Sequence, residues 1–399
     1  MKTSPLLSIF LIVLVDVLGL TIILPLLPFY AESFGATPAV VGMLVSTYAI
    51  CQLIAGPPLG HLSDRVGRRP VLLVSQIGTC VGFLILAFAQ ALWMVFLARI
   101  IDGLTAGNLT VAQAYISDVT EPENRAKSFG MIGIAFGLGF LVGPALSGYL
   151  AQFNNTYPIL AAAALSFTSI MCTYFLLPSV RPHSAPETGQ RGISQWSAYA
   201  ESFRDVHLAP MLWQFFAFTL AFSTLYSGFA LFAERRFTHN GAPFGPKEVG
   251  YLFAFSGLIG AMIQGGGIGS LVKAFGESKL AQMGFAAMAL GFAVLSGARQ
   301  LVLLLIAIGF ITFGSAILRP SLTSLITKSA SRHRQGMVIG LMQSLMSIAQ
   351  IIAPVIAGLL IQKQYLSTWA LAGTVVCAVG WSLIAATRET PLPSSADGS

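Results

Sequence analysis

The feature that most restricts this chain is a series of twelve apolar runs, most of them close to 20 residues long and joined by short polar loops. They fall at roughly Leu6–Leu27, Val40–Leu62, Val71–Phe88, Ala91–Ile116, Ser128–Leu150 and Tyr157–Leu177, then Pro210–Phe232, Val249–Val272, Leu280–Leu295, Leu301–Ile326, Val338–Ile361 and Trp369–Ala386. A helix needs about 20 apolar residues to cross the hydrocarbon of a bilayer. The runs are continuous and do not alternate, so helices rather than membrane strands are the expected spanning element. With 55% apolar and 9% charged residues and a mean hydropathy of +0.78, the expected solvent for most of the chain is lipid. Met1-Lys2 and the first run imitate a signal peptide. Asp16 interrupts that run, no small-residue cleavage site follows it and eleven more runs do, so the first span is expected to stay.

Basic residues set the expected orientation. With the amino terminus inside, Lys2, Arg65, Arg68, Arg69, Arg125, Lys127, Arg181, Arg191, Arg204, Lys273, Lys279, Lys328, Arg332, Arg334 and Arg388 fall on the cytoplasmic side. Arg235, Arg236, Lys247, Arg299 and Lys363 fall outside, and Arg99 and Arg319 lie within spans. The asymmetry places both termini in the cytoplasm and the protein in the cell (inner or plasma) membrane. It also accounts for the net charge of +7 without a nucleic-acid partner.

The four cysteines, Cys51, Cys80, Cys172 and Cys377, each sit inside an apolar run, which points to buried free thiols. No metal-ligand spacing, Ser-His-Asp set or phosphate-binding loop is present: Gly265-Gly266-Gly267 lacks a following Lys-Ser or Lys-Thr. An enzyme, a cofactor and a bound metal are therefore not expected.

The chain repeats itself. Gly60 and Gly67 bracket Asp64, as Gly269 and Gly276 bracket Lys273 at an offset of 209 residues. Arg125, Gly130, Pro144 and Gly148 align with Gln335, Gly340, Pro354 and Gly358 at an offset of 210. This predicts two pseudo-symmetric six-helix bundles, residues 1–178 and 209–399, joined by a cytoplasmic linker at 179–208 that contains Arg181-Pro182-His183-Ser184-Ala185-Pro186-Glu187. Parallel repeats of this kind imply a substrate site between the bundles near mid-membrane, opened alternately to each side.

Four ordered motifs carry a resemblance. Gly60-His61-Leu62-Ser63-Asp64-Arg65-Val66-Gly67-Arg68-Arg69, a charged loop between spans two and three, Arg99 to Asn108 in span four, Gly137 to Gly148 in span five and Leu24-Pro25-Leu26-Leu27-Pro28 at the end of span one resemble the major facilitator superfamily. Within it, the chain is similar to the drug:proton antiporter branch that includes tetracycline efflux proteins. The resemblance implies a major facilitator fold, a proton-transfer role for Arg99, and a loop at Gly60, Asp64, Arg65, Gly67, Arg68 and Arg69 that stabilises the outward-open state. It also implies an antiporter motif at Gly139, Gly143, Pro144 and Gly148. Tetracycline exporters of this branch carry an Asp in the third span. Here Cys80-Val81-Gly82-Phe83 has no acid, and Asp102 and Arg319 supply charges in spans four and ten instead.

Charge inside a membrane is costly, about 2.5 to 3.5 kcal/mol for an acid at a helix centre, and marks function by default. Asp16, mid-span, is expected to load a proton from outside and release it inside; the alternative is a structural Asp hydrogen-bonded to Ser or Thr. Arg99 and Asp102, three apart, share a helix face, and with Ala106, Thr110 and Gln113 form a stripe expected to face a cavity. Asp102 is read as a second titrating site and Arg99 as its switchable partner, against a permanent packing pair. Arg319 either attracts an anionic group, neutralises an Asp of the first half, or binds carbonyls freed at Pro320. Asp64 is expected beside the cytoplasmic end of span eleven, on its helix N-terminus. Gly133, Gly137, Gly139, Gly143, Gly148, Gly265 and Gly269 are expected to let helices approach closely, with Pro144 and Pro354 as kinks.

The expected lining of the site is Tyr48, Gln52, Gln113, Gln214, Phe218, Phe222, Tyr226, Gln264, Arg319 and Gln343, suited to a bulky amphipathic or weakly cationic compound. The leading expectation is a monomeric, proton-coupled exporter of hydrophobic or amphipathic drugs or similar small molecules. The alternatives are a transporter of one metabolite on the same scaffold and a non-transporting membrane receptor.

Overall fold

The computed structural model describes residues 5–120, 125–178, 201–206, 208–330 and 335–387. Most of the expected linker, with Arg181 to Glu187 and Arg191, lies outside the described residues, as do Lys2, Arg332, Arg334 and Arg388. Among the described residues, twelve helical spans are long and apolar enough to cross a membrane.

In chain order the helices are α1 (Pro5–Glu32), α2 (Pro38–Val66), α3 (Arg68–Ala87), α4 (Leu92–Leu104), α5 (Asn108–Val119), α6 (Arg125–Ala151) and α7 (Thr156–Leu176). The second half has α8 (Leu208–Arg236), α9 (Pro246–Met262), α10 (Ile268–Phe275), α11 (Glu277–Gly297), α12 (Leu301–Ser329), α13 (Gln335–Gln362) and α14 (Leu366–Thr387). A two-residue hairpin, β1 (Thr238–His239) with β2 (Ala242–Pro243), joins α8 to α9. In the first bundle α1 packs on α6 and α7, and α3 on α4 and α7. In the second, α11 packs on α12 and α14, and α8 on α13 and α14.

Three stretches depart from the sequence expectation. The charged segment Gly60–Arg69 is not a loop, because α2 runs on to Val66 and α3 starts at Arg68. Gly67 alone makes the turn at φ 106°, a backbone conformation that side chains disfavour, and Gly276 repeats it at φ 76° between α10 and α11. The fourth span is broken at Thr105–Gly107. The hydroxyl of Ser75 on α3 donates to the Thr105 carbonyl and accepts from the Gly107 N–H at 2.8 Å, replacing bonds the helix gives up there. The eighth span is interrupted by a π-helical stretch, Ile263–Gly267, where three consecutive glycines hold the helical ladder weakly.

The bundles meet along two seams, α2 with α13 and α6 with α9. A methyl group at Gly42 would fall on the Pro354 carbonyl and one at Gly358 on the Pro38 carbonyl. On the other seam, Gly148 faces the Lys247 carbonyl, and Gly250 and Gly257 face the carbonyls of Pro144 and Phe140. The seams are copies: Gly358 stands 210 residues after Gly148, and Lys247 stands 209 after Pro38. Small residues let backbones touch where lipid offers no drive to bury apolar side chains.

Among the described residues the closest contacts lie toward the end of the bundles that carries Glu32. There Arg235 Nη2 on α8 reaches Glu32 Oε1 on α1 at 2.6 Å, Ser46 Oγ donates to the Ile351 carbonyl at 2.6 Å, and the Ala39 N–H donates to Gln362 Oε1 at 3.2 Å. Along the same face of α6, Gly137 only grazes Ala261 and Gly133 meets nothing; on α2, Gly56 and Gly60 also face open space. The bundles therefore close at the Glu32 end and part toward the Asp64 end.

Gly148→Val and Gly358→Val would each put side-chain atoms where partner backbone already stands, an overpacking that costs about 1 to 3 kcal/mol. Since about 1.4 kcal/mol is tenfold in an equilibrium, either variant should deplete the form closed at the Glu32 end. The measurement is cross-linking between cysteines placed at Ala39 and Gln362, in a background without the four native cysteines. Unchanged yield would count against the seams as the closing contacts.

Candidate functional site

A polar centre forms inside the first bundle from α1, α2, α3, α4 and α7. Asp16 on α1 is hydrogen-bonded by Ser169 on α7 and Gln76 on α3, and its carboxylate interacts with that of Asp102. Gln76 Nε2 donates to Ser169 Oγ at 2.7 Å, so the two partners hold one another in place. Asp16 itself is only half-buried.

Arg99 and Asp102 on α4 are sealed by comparison. Their side chains are each 5% exposed, and Arg99 Nη1 lies 3.2 Å from Asp102 Oδ2. Thr79 hydrogen-bonds the acid, and the guanidinium carbon sits 5.9 Å from the ring centres of both Tyr48 and Phe83. Gly82 on α3 lets α4 come this close, because a side chain there would press on the Ala98 carbonyl and Asp102 Cβ. Arg99 Nε and Nη2 have no hydrogen-bond acceptor, so the pair leaves part of the guanidinium unsatisfied.

The second bundle presents a different wall. Arg319 projects from the middle of α12, exposed, and has no carboxylate partner among the described residues. Tyr226 on α8 is near enough to interact with it. The Tyr226 ring stacks on Phe253 at 5.3 Å, lies 4.4 Å from Phe222 and meets the edge of Phe140, on α6 of the other bundle, at 5.6 Å. Ser256 hydrogen-bonds the Tyr226 hydroxyl and pairs with Thr312 at 2.6 Å. Arg319 and its tyrosine thus face the junction of the bundles.

Other expected lining residues divide. Gln52 is half-buried and donates to the Tyr48 hydroxyl at 3.4 Å; Gln113, Gln264 and Gln343 are exposed. Gln214 and Phe218 are 3% and 2% exposed, packed inside the second bundle where α8 is enclosed by α12, α13 and α14, and so do not line an open site. The stripe from Arg99 to Gln113 is also not continuous: the break before α5 leaves Thr110 and Gln113 exposed while Arg99 and Asp102 stay buried. Gln76, Thr79 and Ser169, absent from the expected set, are polar residues inside apolar runs, the signal that singled out Asp16. The motif in α6 has two faces. Gly139 and Gly143 receive Val17 and Thr21 of α1, with Thr21 Oγ1 donating to the Gly139 carbonyl at 2.8 Å, while Pro144 and Gly148 form the seam with α9.

At the open end, Arg68 Nε binds Asp118 Oδ2 at 2.8 Å, and its Nη1 reaches Asp64 Oδ1 at 2.5 Å and Ser63 Oγ at 2.7 Å. Asp64 is half-exposed, and its ion-pair partner is Arg68 of its own bundle, where the N-terminal end of α13 was expected. Arg65 is exposed and Gly60 faces open space, while Arg69 donates to the Tyr174 carbonyl and covers the Tyr174 ring. The second bundle repeats this arrangement with charges exchanged. Glu277 stands 209 residues after Arg68 and Lys328 stands 210 after Asp118, and Lys328 Nζ binds Glu277 Oε1 at 2.7 Å.

The Major Facilitator Superfamily model matches residues 9–269 and 267–398, nearly the whole chain. The chain belongs to the Major Facilitator Superfamily. Among its relatives, tetracycline resistance protein class B of Escherichia coli is 32% identical over 356 residues, covering 86% of this chain and 85% of the relative. Multidrug resistance protein 2 of Bacillus subtilis is 26% identical, with 96% of each chain covered. The crystal structure of the human organic anion transporter MFSD10 (TETRAN) superposes with a TM-score of 0.72 at 22% identity, over 95% of this chain and 98% of that one, a likeness of fold. With twelve spans in this superfamily, the chain is a multi-pass membrane transport protein.

Arg99→Gln would strand the Asp102 carboxylate in the bundle, and breaking one side of a buried pair costs about 3 to 5 kcal/mol. The single variant should melt well below wild type in detergent, and Arg99→Gln combined with Asp102→Asn should recover most of the difference. Equal melting of single and double variants would mean that the two side chains are not energetically coupled.

Proposed function

We propose that the protein is a proton-coupled exporter of hydrophobic and amphipathic drugs and similar small molecules, working by alternating access with both termini in the cytoplasm. The observation that carries this reading is Asp16, a mid-span carboxylate held by Gln76 and Ser169 beside a buried Arg99–Asp102 pair. Relatives named for tetracycline, multidrug and quinolone resistance support the substrate class.

In this reading the Glu32 end faces outward and the Asp64 end faces the cytoplasm, so the seams hold an inward-open form. Drug enters from the cytoplasm or inner leaflet while Asp16 gives up its proton. The bundles then part at the Glu32 end, drug leaves, and Asp16 takes a proton from outside. Arg99, with unsatisfied N–H groups, reports the state of Asp16 through Asp102: a charged Asp16 repels the neighbouring carboxylate, and a protonated one does not. Tyr48, Gln52, Tyr226, Arg319, Gln113, Gln264 and Gln343 supply contacts to the drug. Moving one charge across 100 mV releases about 2.3 kcal/mol, enough at about 1.4 kcal/mol per tenfold step for a gradient near fifty-fold.

Asp16→Asn should remove drug-driven proton release from inverted vesicles while the protein still melts cooperatively. Full proton release from a well-folded Asp16→Asn protein would take Asp16 out of the mechanism.

A further inference from the structure

At the closed end of the bundles two acids converge on one base. Arg235 on α8 binds Glu32 Oε1 of the other bundle through Nη2 and Glu234 Oε2 of its own helix through Nη1, each at 2.6 Å. The two carboxyl groups also hydrogen-bond each other. An ionised carboxylate only accepts, so one of the pair must carry a proton to make that bond. The surroundings supply no second base. Arg236 is taken up by the carbonyls of Ala298 and Ser296 and by Ser367 Oγ, and Arg299 of the α11–α12 turn lies near Arg236. On α9, Glu248 accepts from the Gly245 N–H, and on α1 the Tyr30 hydroxyl donates to the Leu86 carbonyl. Lys247 on α9, His239 on the hairpin and Lys363 after α13 are exposed and form no ion pair with either acid. A cleft of about 380 Å³, lined by Glu234, Arg235, Arg236, Phe237, Thr238 and Pro243, opens beside the acids and gives water a way in.

We propose that Glu32 and Glu234 form a proton-binding site at this mouth, in which one proton shared between carboxyl groups of opposite bundles completes the closed form. One guanidinium balances one carboxylate. With both acids ionised, an unmatched negative charge would sit where the bundles touch, and the shared proton removes it. Parting the bundles takes Glu32 away from Glu234 and Arg235, and separated glutamates ionise at about 4.3. Closing therefore takes up a proton and parting releases one. The closed form gains as pH falls through neutrality, until the parted acids are protonated as well. In the exporter reading, on which only the physiological role rests, this mouth faces outward. External protons then shut it, so it closes behind an arriving proton and stays open longer when the outside is alkaline.

The test is the distance between spin labels at Gln90 and Gln300, read by pulsed electron resonance on purified protein lacking the four native cysteines. Both residues are exposed, in the α3–α4 and α11–α12 turns of this end. With otherwise native residues, the ratio of the short, closed distance to the long one should rise as pH falls from about 8 to about 5, by up to about tenfold per unit for one proton. Glu234→Gln and Glu32→Gln, whose amides donate without a proton, should each stay closed at the alkaline end and lose that dependence. Asp16→Asn should still respond to pH. A ratio indifferent to pH without these substitutions, a response that survives both glutamine variants, or one that vanishes in Asp16→Asn would overturn the proposal. The distance is read without drug or gradient, so the two readings fail separately. A pH-driven mouth without proton-coupled flux would refute the exporter and leave the site, and coupled flux through a mouth indifferent to pH would do the reverse.

Discussion

Charge in a low-dielectric slab must be matched, and that requirement organises the interior of this protein. The matched pair, Arg99 with Asp102, is enclosed by Tyr48, Phe83 and Thr79, with Gly82 letting α4 pack closely on α3. Such a pair contributes little net stability against apolar replacements, but it makes each member's state depend on the other. Asp16 adds a third ionisable group near it, held by Gln76 and Ser169 and interacting with Asp102.

The second constraint is that lipid does not push apolar helices together. Association depends on backbones coming into contact, and the seams do this with glycine and proline at two places related by the internal repeat. The prolines add to the effect. Pro144 has no N–H for the Phe140 carbonyl, and that carbonyl lies against Gly257 on the partner helix. A contact made of small residues leaves few interdigitated side chains to disengage, which suits a surface that must open in every cycle.

Much of this was legible in the chain. Twelve runs gave twelve spans, the 209- and 210-residue offsets gave matching seams, and Gly139, Gly143 and Gly148 gave close approaches, whereas Gly137 only grazes its neighbour and Gly133, Gly265 and Gly269 meet nothing. What was not legible has a common cause: lipid-facing and core-facing residues are equally apolar, so the rotation of a helix about its axis leaves no trace in hydropathy. Gln214 and Phe218 looked like lining for that reason and are packed inside. The break before α5 depends on Ser75, about 30 residues upstream, and the partners of Asp16 lie 60 and 153 residues away in sequence, at Gln76 and Ser169. In Gly60–Arg69 the charges looked like a loop, yet one glycine was enough for the turn.

The exchanged charges at the open rim have a consequence for the reverse half of the cycle. On each bundle the acids are already taken by a base of the same bundle, Asp64 and Asp118 by Arg68 and Glu277 by Lys328, and with Arg65 and Arg69 on one side and Lys273 and Lys279 on the other both rims keep a surplus of positive charge among the described residues. Rims of like sign resist being drawn together. The repulsion reaches over a range that salt trims to about 10 Å at 0.1 M, so shutting this mouth is electrically uphill and eased by ionic strength.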